Sequence, residues 1–141
     1  MFRRFITFAI VILLTSPVLA ESKPFNPEDA MTAIENMKGY AGSAVGIAAV
    51  KGDTYIQLER LSELGADAVP YFNRLTESTN PVARMAGIAG LGRSMDDQAR
   101  RRIESLLDDT ALVRVAQGCV GTQMTVGEYA QDILAYRVSK T

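Results

Sequence analysis

The chain contains no histidine, no tryptophan and one cysteine, Cys119. Without them the usual zinc ligand sets and the Ser-His or Cys-His pairs of nucleophilic catalysis cannot be built. No Gly-Lys-Ser/Thr and no Ser-x-x-Lys occurs, so neither a Walker-type phosphate loop nor a Ser-Lys hydrolase is legible. The run Gly87-Ile88-Ala89-Gly90-Leu91-Gly92 lacks the G-x-G-x-x-G order of a dinucleotide loop. An excess of one charge is missing too: 15 basic residues face 16 acidic ones, which leaves no electrostatic footprint for nucleic acid. What is present is ordinary, 141 residues that are 48% hydrophobic and 22% charged, which suits one globular domain. A non-enzyme is expected, with no cofactor and no metal.

The first twenty residues read as an address. Arg3 and Arg4 precede an apolar run from Phe5 to Leu14 broken only by Thr7, and Ser16-Pro17 interrupts before Val18-Leu19-Ala20. A basic start, a short apolar stretch and small residues at a cleavage site are the layout of a secretory signal peptide. The run is too short and too interrupted for a spanning helix. Residues 1–20 are therefore expected to be removed, leaving an exported chain, periplasmic or secreted, with no stable membrane insertion. That removal takes away two arginines and no acid, so 13 basic residues then face 16 acidic ones. In an oxidising compartment an unpaired cysteine is unusual. Cys119 is expected to be a buried thiol acting as a small hydrophobe, the alternative being a disulfide to a second chain.

From residue 21 onward the pattern is helical. Asn26-Pro27-Glu28-Asp29 combines a cap residue, proline at the first helical position and acids facing the dipole. Residues 40–52 leave a loop, a strand at 44–50 and a frayed helix equally open. A helix begins at Asp53 with Tyr55, Leu58, Leu61 and Leu64 on its stripe and stops at Gly65. Further helices are predicted from near Asp67 with Pro70 in the first turn, from Asn80-Pro81, and from Asp96 to Leu107. The β-branched run from Leu112, the Gln117-Gly118 turn and the return to Thr125 predict a hairpin near 112–124. Thr125-Val126-Gly127-Glu128 has the form of a capping box and opens the last helix.

Residues 68–109 carry a more specific pattern. Ala68-Val69-Pro70, Phe72 and Leu75 lead into a polar turn, followed by Asn80-Pro81, Arg84, Ala86, Ala89, Leu91-Gly92, Asp96 and Leu106-Leu107-Asp108-Asp109. This segment resembles a HEAT-like helical repeat of the short, bacterial type, with a partial second unit from Arg102 to Arg114. The resemblance implies a mainly α fold, a short α-solenoid of antiparallel helix pairs within a single domain spanning 21–141. It also implies a non-catalytic protein–protein interaction or scaffold role. Solenoids usually need about three repeats to bury a continuous core, so the irregular flanks are expected to cap the unit.

Three adjacent acid pairs, Glu28-Asp29, Asp96-Asp97 and Asp108-Asp109, sit at predicted helix ends and read as caps rather than as converging catalytic carboxylates. Arg100-Arg101-Arg102 fans around its helix rather than forming one patch, with Asp97–Arg101 and Arg100–Glu104 spaced to pair. Tyr40, Tyr55, Tyr71, Tyr129 and Tyr136 form the polar aromatic set, a residue type favoured at interfaces. Tyr71 and Arg74 project opposite Phe72 and Leu75, and Arg84 projects from the next helix; these three are the candidate partner-binding residues. The expected partner is a protein of the cell envelope. A small inhibitor or immunity-type protein and an envelope structural protein dimerised through Cys119 are the competing readings.

Overall fold

A computed structural model describes residues 24–46 and 51–138; the expected signal peptide at 1–20 lies outside these residues. The architecture is mainly helical with one small sheet. Six α-helices are described: α1 (Pro27–Glu35), α2 (Asp53–Ser62), α3 (Val69–Thr76), α4 (Pro81–Ser94), α5 (Asp97–Glu104) and α6 (Val126–Val138). A 3-10 turn, Gly65–Ala68, leads into α3. Three strands, β1 (Tyr40–Val45), β2 (Leu112–Gly118) and β3 (Val120–Thr125), lie in the order β1-β2-β3.

The helix starts follow local chemistry. Asn26 accepts from the Glu28 N–H, Asn80 from the Val82 N–H and Asp96 from the Ala99 N–H, each filling one of the donors a helix leaves unpaired. The capping box forms as expected: the Glu128 N–H donates to Thr125 Oγ1 while Glu128 Oε2 accepts from the Thr125 N–H. α4 continues through Gly92 to Ser94 and ends on Met95 in the left-handed region, φ 46°.

The core runs between the helices and one face of the sheet. Met31, Ile34, Leu58, Leu61, Leu75, Met85, Ile88, Leu91, Ile103 and Val126 are fully enclosed. α3 and α4 are antiparallel and unusually close. A Cβ on Gly87 would lie 2.7 Å from Phe72 O and Thr76 N, and one on Gly90 would run into the Phe72 ring. The glycines thus replace side-chain thickness with direct backbone approach.

The hairpin at 112–125 is present, but its two-residue turn is Gly118-Cys119, one residue later than Gln117-Gly118, because Gln117 pairs with Val120 and Gly118, at φ 59°, takes the left-handed first position such a turn demands. Three further expectations change. Residues 40–45 form a strand, earlier than 44–50, and pair parallel to β2; the intervening helices supply the long crossover that parallel pairing needs. Cys119 is exposed in the turn, because a two-residue hairpin turn projects beyond the end of the sheet, away from the core. α5 stops at Glu104, so Ala99 and Ile103 are buried while Leu107 stays 42% exposed. Of the two expected i,i+4 pairs, Arg100 and Glu104 meet, Nε to Oε1 3.1 Å, whereas among the described residues Asp97 and Arg101 do not.

Candidate interaction surface

α1 and α3 border a groove of about 550 Å³ lined by Pro27, Glu28, Leu64, Ala66, Asp67, Pro70, Tyr71 and Arg74. Phe72 and Leu75 face the core from α3; Tyr71, half-buried against that core, and the exposed Arg74, three residues apart, both border the groove. Pro27 sets the first turn of α1 and Asn26 caps it, which fixes where Glu28 projects. Arg74 Nη1 donates to Glu28 Oε1 at 2.7 Å and Nη2 to Oε2 at 3.2 Å. The fork uses two of the five guanidinium donors. Its hydrogen bonds, opposed by slight desolvation and helped by the cation's charge, hold the Glu28 carboxyl below its ordinary range. Both side chains remain about half exposed, at 55% and 54%, so the pair orients Arg74 at the rim without removing it from solvent.

Arg84 does not join them. Its Nε and Nη2 fork onto Asp109 at 2.7 and 3.2 Å, and Nη1 donates to the carbonyls of Ser78 and Thr79. With its side chain 17% exposed, Arg84 is turned inward and stitches α4 to the segment before β2.

The tyrosines separate in the same way. Tyr40 and Tyr129 pack with ring centroids 5.5 Å apart and hydroxyls 3.2 Å apart. Burial first, and the neighbouring phenol second, push Tyr40 well above its ordinary pKa. Tyr55 is half-buried between Lys51 and Arg93, whose charges lie 5.7 and 5.9 Å from its ring centre. Tyr136 is exposed. Among the described residues no group of three His, Cys, Asp or Glu side chains could hold a metal ion, and no helix is long and apolar enough to cross a membrane.

No protein family and no curated protein matches the chain. Among solved structures there is a likeness of fold, one example being a chain in the crystal structure of the Snu23-Prp38-MFAP1(217-258) complex of Chaetomium thermophilum, with a TM-score of 0.67 at 15% identity. The match covers 79% of this chain and 59% of that one, and at such identity the likeness is one of fold alone.

Glu28 and Asp109 were not visible as the partners of Arg74 and Arg84. They stand 46 and 25 residues away in sequence, and their position in acid pairs at helix ends pointed to capping instead. Only a charge of opposite sign on an element able to pack alongside could have signalled them.

Proposed function

We propose that the chain is an exported, non-catalytic protein-binding module built on a HEAT-like helix pair. The close antiparallel packing of α3 on α4 through Gly87 and Gly90 supports the HEAT-like reading of residues 68–109, with the sheet capping that short unit. The carrying observation is the α1–α3 groove, where Tyr71, two prolines and Leu64 surround an Arg74 already oriented by Glu28. Tyr and Arg are enriched among the few residues that dominate binding energy at protein interfaces, and a pre-positioned side chain loses less entropy on binding. Arg84 supports this face indirectly, by fixing the start of α4.

The test is affinity capture with residues 21–141 from the envelope extract of the source cell, read by mass spectrometry. A stoichiometric protein partner is expected for the unaltered chain and for Asp97→Asn. Its loss with Tyr71→Ala and Arg74→Ala together is the result that places binding in this groove. No partner even under crosslinking would overturn the proposal.

A further inference from the structure

The two edges of the sheet are treated differently. β1 is closed on its outer side: the Gly52 N–H donates to Gly42 O at 3.0 Å and the Ala41 N–H to Thr54 Oγ1 at 3.3 Å. Among the described residues β3 has no such cover. Its turn is closed by Gln117 opposite Val120, and hydrogen-bonded pairs alternate from there, so Gly121, Gln123 and Thr125 direct their backbone groups away from β2. Thr125 confirms the direction, since Glu128 takes its N–H. Among the described residues the backbone of Gly121 and Gln123 is bonded by nothing beyond β3 itself, where the Thr122 hydroxyl lies at a long 3.5 Å from Gln123 O. Proteins normally blunt such an edge with lysine, proline or a bulge. Val120–Thr125 contains neither charge nor proline, its pairing with β2 is unbroken, and Val120 to Gln123 are all exposed.

The solvent side of the sheet is also unusual. Positions that face water on a one-sided sheet are ordinarily polar, yet here a groove of about 880 Å³ is floored by Gly39, Ala41, Ala116 and Gly121. Arg114 and Gln123, directly opposite one another, rise beside that floor. Arg114 is the one charged residue between Leu112 and Thr125. It is exposed, and no carboxylate among the described residues pairs with it.

We infer that the free edge of β3 accepts an extended, acid-bearing segment of a partner protein as a fourth strand, with Arg114 selecting the acid. Backbone groups of Gly121 and Gln123 supply the pairing, the mode known as strand addition. A residue opposite Gln123 on that new strand lies about 10 Å from Arg114, and the glycine–alanine floor leaves two long side chains free to meet across it. Charge decides against a second copy of this chain. Pairing β3 with β3 would put two Arg114 side chains on one continuous face with no acid in either hairpin to answer them. This surface is separate from the α1–α3 groove and does not depend on it.

The probe is a blocked peptide of about ten alternating threonines and valines with glutamates on one face, compared with its lysine counterpart. With the glutamate peptide, amide exchange at Gly121 and Gln123 is expected to slow, with affinity about tenfold better than for the lysine peptide. Gln123→Pro removes an N–H that lies outside the β2 ladder, so the fold is kept and binding is lost. Arg114→Glu reverses the order of the two peptides. Tyr71→Ala with Arg74→Ala leaves peptide binding unchanged, which separates this result from the fate of the helix groove. Unaltered exchange at both amides at about 1 mM glutamate peptide, or indifference to peptide charge, overturns the inference. A dimer of the free chain that Gln123→Pro converts to monomer does so as well, in favour of self-pairing.

Discussion

Arg84 and Asp109 hold the first turn of α4 to the residues before β2 through a fork of 2.7 and 3.2 Å, with side chains only 17% and 16% exposed. Burial raises the Asp109 carboxyl, but the Arg84 hydrogen bonds, the Ala111 N–H and the guanidinium charge outweigh it, leaving the pKa below its ordinary value of 3.8. A carboxyl depressed in the folded state adds stability above its unfolded pKa and loses it as pH falls through the folded one. Arg84→Ala is expected to cost about 1–2 kcal/mol at neutral pH. Urea unfolding at a series of pH values should show the gap between the two chains narrowing below pH 3.8.

Gly87 offers a sharper test of packing. Alanine raises helix propensity by about 1 kcal/mol over glycine, so a helix free of neighbours would be strengthened by Gly87→Ala. Here the added methyl meets the backbone of α3 at 2.7 Å, and the expected result is a loss of about 2–3 kcal/mol from overpacking. Thermal unfolding decides the sign.

Asn80 works in two directions. Its carbonyl oxygen caps α4, and its amide donates to the carbonyls of Glu35 and Met37 at 2.7 and 2.9 Å. Asn80→Asp keeps the cap but sets a carboxylate against two carbonyl oxygens. We expect Asn80→Asp to be less stable than the unaltered chain by about 1–2 kcal/mol, despite aspartate being as good a cap. Equal denaturation midpoints would contradict this.

The Tyr40–Tyr129 pair predicts an alkaline limit. Both phenols are raised above their ordinary value of 10.0, burial being the largest cause in each. A phenol raised in the folded state contributes its full stability below the unfolded pKa and loses it as pH rises toward the folded one. Stability should therefore fall from about pH 10 upward, and spectroscopic titration should show two tyrosines ionising late. Tyr40→Phe, which leaves Tyr129 without its hydroxyl partner, should cost about 1 kcal/mol at neutral pH.

The local elements were legible because local interactions make them. Asn26-Pro27, Asn80-Pro81, Asp96 and the Thr125–Glu128 box start helices through bonds spanning two or three residues, and Gly118 shapes a turn between the strands it joins. Tyr71 and Arg74 share a face because they are three apart on one helix. The rest waited for the chain to fold back on itself. β1 looked ambiguous alone because its small, apolar residues suit several conformations, and β2 supplies its hydrogen bonds from more than sixty-five residues away, Ala41 opposite Ala116. Whether an arginine faces solvent or a carboxylate depends on what packs beside it, so only tertiary structure turned Arg84 inward onto Asp109 and oriented Arg74 by Glu28. Sequence by itself determined the helices, caps and hairpin; the tertiary structure decided which charges and which strand edge are left for a partner, because those depend on contacts between distant segments.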